Sequence, residues 1–117
     1  MSVNRVVVVG LGKIGLPLAI QLASRGLDVI GVDVSERVVQ LTNSGVAHFE
    51  ETGMSKLLEK TVKSGRLSTT SGLKEAVRGA DYIVVVVPLY VDLYGEPDFT
   101  NIDQTMTEVG KTLALNA

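Results

Sequence analysis

The sequence contains no cysteine, a single histidine and no long uninterrupted apolar segment. Without cysteine, the chain has no disulfide, no thiolate metal site and no thiol nucleophile. The apolar run at the N-terminus is interrupted by glycine too early for a signal sequence or a membrane span. We therefore expect a cytoplasmic protein with no membrane segment, and we predict no metal site.

Excess basic charge is also missing. Eleven Lys and Arg residues stand against 13 Asp and Glu residues, which gives a formal net charge of −2. The sequence has no basic patch, zinc-knuckle pattern or RNA-binding aromatic motif, so nucleic acid is not an expected partner. With 117 residues, 45% of them hydrophobic, the chain is long enough for one globular domain and too short for two.

Predicted strands and helices alternate along the chain. The strands predicted at 5–9 and 82–87 each contain a run of four valines without polar alternation, which is typical of strands buried on both faces of a parallel sheet. Shorter strands are predicted at 28–32 and 67–69. Helices are predicted at 13–25, 35–43, 54–63, 73–78 and 101–115. The pattern indicates an α/β fold of the Rossmann type, incomplete, with about four strands in the order 3-2-1-4 and flanking helices.

The first predicted helix has an apolar stripe. Ile14, Leu18 and Leu22 recur at intervals of four residues, with Ala19 and Ala23 beside them. This spacing, continued by Arg25, predicts a helix, and Gly26 is its expected C-terminal stop.

Three glycines follow the first predicted strand in the pattern G-x-G-x-x-G. Gly10, Gly12 and Gly15 open the first predicted helix, and Asp33 ends the second predicted strand 21 residues after Gly12. A glycine triplet alone is a weak signal, since glycines are common between strands and helices. The strand before it, the helix after it and the acid at the end of the next strand together form the fingerprint of a dinucleotide-binding site.

Each residue type has a physical role in such a site. Gly10 permits the tight turn, Gly12 lets a pyrophosphate approach the backbone, and Gly15 lets the helix pack against the strand. The unpaired N–H groups and the dipole of the helix N-terminus attract the anion. Asp33 would accept hydrogen bonds from the adenosine ribose and repel a 2′-phosphate, which favours NAD over NADP. Arg37 is the residue that could instead favour NADP. The alternative interpretation of this motif is a glycine-rich turn that binds no nucleotide, with Asp33 exposed to solvent.

The motifs GLGKIGLPLA, GVDV and ADYIVVVVP, with the PD-containing loop after them, resemble the N-terminal domain of the UDP-glucose/GDP-mannose dehydrogenase family. Within that family the likeness is greatest to enzymes of the UDP-N-acetylmannosamine dehydrogenase type. The resemblance implies oxidation of the C6 alcohol of a nucleotide sugar to a carboxylate with two NAD. It runs from about residue 3 to the end, so the whole chain, 1–117, is interpreted as a fragment of an NAD-binding Rossmann domain.

The resemblance also implies which residues contact the cofactor. They are Gly10, Gly12, Lys13, Ile14, Gly15, Asp33, Val87, Pro88 and Leu89. The family often has Tyr at Lys13 and Thr at Leu89, so only a backbone contact is expected from Leu89. A basic residue usually stands at Val38, one position after Arg37, and we include Arg37 as a cofactor-binding candidate. The family's catalytic Cys and Lys and its substrate-binding domain lie downstream of this segment. No catalytic residue is therefore expected in this chain, and the nucleotide sugar would bind to the longer parent.

Two other interpretations remain open. NAD-sensing modules of potassium transport systems are short Rossmann domains that bind the nucleotide and perform no chemistry. The N-terminal domains of β-hydroxyacid-type dehydrogenases share the glycine motif. This sequence carries a long insertion between Gly45 and Leu67. The sensors usually pass quickly from the second helix to the third strand, and the β-hydroxyacid-type domains are not expected to carry the insertion. His48, within the insertion, is expected to be structural or solvated, since a lone His is far more often so than catalytic.

The incomplete sheet has a consequence for association. With no fifth strand, the apolar strand predicted at 82–87 becomes an edge without Lys or Pro inside it. Such edges pair with other chains. We therefore expect a homodimer formed through this strand, through the last helix, or through both.

Overall fold

A four-stranded parallel sheet forms the centre of the computed structural model, which describes residues 4–49, 51–86, 90–91 and 93–116. Its strands are β1 (Arg5–Val9), β2 (Asp28–Val32), β3 (Leu67–Thr70) and β4 (Tyr82–Val85). They lie in the order β3-β2-β1-β4, which confirms the predicted topology. Because Val9 lies opposite both Val32 and Val85, these strands end at the same edge of the sheet.

Five helices accompany the strands in the described part of the chain. They are α1 (Gly15–Ser24), α2 (Glu36–Asn43), α3 (Met54–Lys63), α4 (Leu73–Val77) and α5 (Thr100–Asn116). Between β4 and α5 the sequence predicts only a loop, but the structure has a short antiparallel hairpin, β5 (Tyr90–Val91) with β6 (Pro97–Asp98). No helix among the described residues is long and apolar enough to cross a bilayer.

The valine run of β1 is buried on both faces, as predicted. Val6 and Val8 belong to a core cluster with α1 and α3, in which Leu16 and Leu58 are completely buried. Val7 and Val9 belong to a second cluster on the other face, built around α4. A strand between two apolar layers needs no polar alternation, which explains the sequence of β1.

The face that α1 buries is not the stripe that begins at Ile14. Ile14 is 71% exposed and precedes the helix, which begins at Gly15 rather than at residue 13. Leu16 and Ile20 are the large side chains that α1 buries, with Ala19 and Ala23 beside them. Leu18 is only half-buried. The turn before the helix rotates the first residues away from the core, so sequence periodicity counted from Ile14 began too early.

Asn43, at the end of α2, covers the outer edge of β3. Its Oδ1 accepts a hydrogen bond from the Thr69 N–H at 2.9 Å, and its Nδ2 donates to the Thr69 carbonyl oxygen at 3.0 Å. These two backbone groups would otherwise be available to a further strand. At the opposite edge, β4 pairs with β1, and no other described strand pairs with it.

Candidate functional site

The glycine loop between β1 and α1 is fixed by its backbone. Gly10 has a positive φ of 102°, which favours glycine, and its N–H donates to the Val32 carbonyl oxygen at 2.8 Å. A Cβ on Gly15 would overlap the carbonyl oxygen of Gly10, so α1 can start this close to the loop only with glycine there. The roles predicted for Gly10 and Gly15 agree with this geometry.

Gly12 differs from its two neighbours in the motif. It is exposed, and a Cβ placed on it would meet no atom within 4 Å. Packing within the chain therefore gives no reason for glycine at this position. Open space beside the start of a helix is what a bound pyrophosphate would need.

The N-terminus of α1 carries no side-chain capping hydrogen bond in the described structure. The N-cap residue is Ile14, whose side chain has no acceptor, and the Leu16 N–H turns back to the Gly12 carbonyl oxygen at 3.0 Å. The first N–H groups of a helix need partners from outside it. An anion above Gly12 would supply those partners and would meet the positive end of the helix dipole.

Asp33 connects the end of β2 to the glycine loop. Its Oδ2 accepts a hydrogen bond from the Leu11 N–H at 3.0 Å, and its Oδ1 accepts one from the Ser35 N–H at 3.0 Å. The residue is half-buried. A carboxylate has about four acceptor positions, so each oxygen can still accept a bond from a ribose hydroxyl. The structure therefore holds Asp33 beside the glycine loop, as the motif requires.

A cleft of about 300 Å³ opens beside these residues. Its lining combines the ends of β1 and β2 with residues that follow β3 and β4 and with the first turns of α5. The lining residues are Val9, Gly10, Leu11, Gly12, Val32, Asp33, Val34, Ser71, Leu73, Val86, Asn101 and Thr105. A mostly apolar cleft with a few polar groups at the carboxyl ends of parallel strands is the usual form of a nucleotide site.

Sequence reasoning missed the far wall of this cleft, where Ser71, Leu73, Asn101 and Thr105 lie. The position of Ser71, directly after β3, is a signal that could have identified it, because parallel strands deliver their following residues to one edge. The two α5 residues carry no such signal. Asn101 and Thr105 reach the cleft only because α5 packs on α4.

Lys13, Ile14 and Arg37 are the remaining predicted site residues that the structure describes. Lys13 and Ile14 are exposed in the turn before α1, and Arg37 is exposed in the first turn of α2. None of these three lines the cleft. Val87, Pro88 and Leu89 lie outside the described residues.

The imidazole of His48 interacts electrostatically with Asp33 and Arg37. Burial lowers the pKa of His48 below its ordinary value, the Asp33 carboxylate acts in the opposite direction, and the Arg37 guanidinium lowers the pKa further. Its Nδ1 is screened from solvent and has no hydrogen-bond partner among the residues that the structure describes. No sequence motif connects this residue with Asp33, which lies 15 positions earlier in the chain.

Two glycine substitutions separate packing from binding. Gly15→Ala should lower the free energy of unfolding by about 1–3 kcal/mol, since the new methyl group overlaps the Gly10 carbonyl. Gly12→Ala should leave the free energy of unfolding within about 0.5 kcal/mol of the original, since its methyl group enters open space. It should nevertheless weaken NAD binding at least tenfold, about 1.4 kcal/mol. Urea unfolding and titration calorimetry measure the two effects. Unchanged NAD affinity in Gly12→Ala would contradict the claim that the pyrophosphate binds beside Gly12.

Comparison with known proteins gives the family. The NAD-binding domain of the UDP-glucose/GDP-mannose dehydrogenase family matches residues 4–117. The chain is 38% identical over 110 residues to UDP-N-acetyl-D-mannosamine dehydrogenase of Campylobacter jejuni, covering 94% of this chain and 26% of that protein. It is 34% identical over 111 residues to the enzyme of the same name from Pyrococcus horikoshii, covering 93% and 26%.

A solved structure agrees with these relatives. The ternary complex of GDP-mannose dehydrogenase from Pseudomonas aeruginosa superposes with a TM-score of 0.88 at 36% identity, over 91% of this chain and 24% of that one. The chain thus spans about a quarter of the length of the proteins it matches. Its strand order, glycine loop and Asp33 agree with the family match, and the chain belongs to the UDP-glucose/GDP-mannose dehydrogenase family as an NAD-binding domain.

Proposed function

We propose that this chain is the NAD-binding part of a nucleotide-sugar 6-dehydrogenase, which oxidises the C6 alcohol of a UDP-sugar to a carboxylate with two NAD. The observation that carries the proposal is the Asp33 carboxylate, hydrogen-bonded to the glycine loop beside open space at Gly12. The names of the relatives, which include UDP-N-acetyl-D-mannosamine dehydrogenase and GDP-mannose 6-dehydrogenase, support a nucleotide sugar as substrate. A cytoplasmic location is part of the proposal.

The described residues fit the adenosine end of NAD. The start of α1 would bind the pyrophosphate above Gly12, and Asp33 would accept hydrogen bonds from the ribose hydroxyls. The apolar cleft between Val34 and Leu73 is suited to a flat, weakly polar ring. NAD, when bound, supplies the acceptor for the hydride that leaves the alcohol carbon. Lys13, Ile14 and Arg37 would flank the cofactor, and Val87, Pro88 and Leu89 would contact it where the chain leaves β4.

Catalysis is assigned to residues outside this chain. The family mechanism needs a cysteine, and the sequence has none. Residues 1–117 therefore bind and orient NAD in this proposal, while the substrate and the catalytic groups belong to further parts of a longer parent.

The first prediction concerns the choice of nucleotide. NAD should bind more tightly than NADP, because the Asp33 charge repels a 2′-phosphate. Asp33→Asn removes that charge but keeps one acceptor oxygen for the Leu11 N–H. It should weaken NAD binding and narrow the ratio of the two Kd values by roughly tenfold, about 1.4 kcal/mol. Titration calorimetry with both nucleotides measures the ratio.

Glu36→Gln is the matched control for Asp33→Asn. Glu36 is exposed in the first turn of α2, three residues from Asp33, and makes no hydrogen bond with the glycine loop in the described structure. Removing the charge of Glu36 should leave the ratio of the Kd values for NAD and NADP nearly unchanged. A protein that prefers NADP, or an equal response to both substitutions, would contradict the ribose role of Asp33.

The second prediction is an absence of turnover. The purified chain, mixed with NAD and a UDP-hexose, a UDP-N-acetylhexosamine or GDP-mannose, should produce no NADH, because the family's catalytic Cys is absent. The absorbance of NADH measures turnover, and calorimetry on the same sample confirms that NAD binds. Enzyme-dependent NADH formation would mean that catalytic groups lie within these residues.

We further propose that the isolated chain forms a homodimer through β4. This strand is an edge of the sheet, and Tyr82 within it is 59% exposed. The hairpin of β5 and β6 forms its own sheet and does not pair with β4. At the other edge, Asn43 already occupies the outward backbone groups of Thr69. Of the two edges, β4 therefore offers more unpaired backbone to a second copy.

Light scattering over a dilution series tests the dimer. We expect a dimer at tens of micromolar or above, and dissociation in Tyr82→Lys, because a charge on an edge strand disfavours pairing. Ser68→Lys is the control, since Ser68 is exposed on β3 at the opposite edge. A monomer at every concentration would contradict the proposal, and dissociation only in Ser68→Lys would move the interface to β3.

A further inference from the structure

The far wall of the cleft carries polar groups of its own. Asn101 and Thr105 lie one turn apart on α5, and both line the cleft. Residues four positions apart lie on the same face of a helix, so α5 presents one continuous strip to the cleft. Ser71, which directly follows β3, lines the cleft beside this strip.

The hydroxyl group of Thr105 is already committed as a donor. Its Oγ1 donates a hydrogen bond to the Asn101 carbonyl oxygen at 2.9 Å. A hydroxyl group has one hydrogen and two acceptor lone pairs, so this bond uses the one proton that Oγ1 can donate. The bond also keeps Oγ1 over the backbone of Asn101, which itself lines the cleft. Toward a molecule in the cleft, the Thr105 oxygen can therefore act only as an acceptor.

A dinucleotide held at Gly12 and Asp33 would bring a base to this wall. With the pyrophosphate above Gly12 and the ribose at Asp33, the base continues from the ribose into the apolar part of the cleft, between Val34 and Leu73. The edge of the ring that points away from the ribose would then meet the polar groups of the far wall. In a mostly apolar site, such groups fix the orientation of a ligand and give specificity.

Purine rings differ at position 6 in a way that an acceptor can distinguish. Adenine carries an amino group there, which donates hydrogen bonds, whereas a 6-oxopurine such as guanine carries a carbonyl oxygen, which accepts them. An oxygen that can only accept pairs with the amino group and repels the carbonyl. Ser71 differs from Thr105 in this respect, because its hydroxyl can turn to donate or to accept and would serve either ring.

We propose that Thr105 is a specificity-determining residue of the base subsite, whose Oγ1 accepts a hydrogen bond from the 6-amino group of adenine and disfavours a 6-oxopurine. The inference rests on the proposed function of the cleft as an NAD site. Thr105 is half-buried, so water can also reach this hydrogen bond. The resulting preference for adenine is roughly three- to tenfold in Kd, as expected for one partly exposed hydrogen bond.

The experiment compares NAD with nicotinamide hypoxanthine dinucleotide. The second compound keeps the sugars, the pyrophosphate and the nicotinamide, but its purine has a 6-carbonyl group and a proton on N1 in place of the 6-amino group. Titration calorimetry should give a Kd for NAD that is lower by roughly three- to tenfold. In Thr105→Val a methyl group of similar size replaces the hydroxyl, so NAD should bind more weakly and the two Kd values should become nearly equal.

Two further variants separate the hydroxyl from other effects of the substitution. Thr105→Ser removes the methyl group and keeps Oγ1, so it should retain the preference for NAD. Thr107→Val is the matched control on the same helix. Thr107 is exposed, its Oγ1 also donates to a backbone carbonyl one turn earlier, that of Asp103 at 2.8 Å, and it does not line the cleft. Both Kd values should therefore stay unchanged in Thr107→Val, and thermal unfolding verifies that each variant is folded.

The outcomes distinguish this inference from the proposed function. If the original chain binds both dinucleotides equally well, the base role of Thr105 is wrong and the NAD site stands, and this comparison needs no variant. The same conclusion follows if folded Thr105→Val keeps the preference, or if Thr105→Ser or Thr107→Val loses it. If neither dinucleotide binds, both the proposed function and the role of Thr105 are wrong.

Discussion

The hydrogen bond from the Leu11 N–H to the Asp33 carboxylate, 3.0 Å long, joins the two halves of the site. One partner belongs to the loop that would receive the pyrophosphate, and the other is the acid that would receive the ribose. A parallel bond from the Gly10 N–H to the Val32 carbonyl oxygen ties the same two segments through their backbones. The loop after β1 and the end of β2 therefore hold each other in position before any ligand arrives, which lowers the ordering cost of binding.

Packing beneath the loop depends on the same arrangement. Leu11 is completely buried, and a Cβ on Gly31 in the middle of β2 would come within 2.8 Å of its side chain. Gly31 thus leaves room for Leu11, and Leu11 brings its N–H to Asp33. The first three residues of GVDV are thus explained, since Gly31 lies under the loop, Val32 is buried, and Asp33 is the acid directly after the strand.

Sequence reasoning succeeded where residues that are close together in the chain determine the local structure. The unbroken valines of β1, the glycines of the loop and the acid after β2 predicted the sheet, its strand order and the dinucleotide motif. It was less accurate at the start of α1, where the loop turns Ile14 toward solvent and the helix begins at Gly15. It also missed the hairpin of β5 and β6, whose strands of two residues are too short for any periodicity.

The parts of the site that could not be predicted are those made by distant packing. Thr105 lines the cleft because α5 lies on α4, and the Asp33 carboxylate influences the pKa of His48 from 15 positions earlier in the chain. Neither relation leaves a spacing rule in the sequence. Asn43, which covers the edge of β3, belongs to the same class, since its partner Thr69 lies 26 residues away.

The most direct test of the central claim is an amide NMR titration of the isotope-labelled chain with NAD. If Asp33 and the glycine loop form one preorganised site, the largest shift changes should appear together, with one shared Kd, at the amides of Leu11 to Gly15 and of Asp33 to Ser35. Smaller changes should follow at Ser71 and Thr105 across the cleft. Changes centred on another surface, such as the exposed lysines of α3, or different Kd values for the loop and for Asp33, would contradict it.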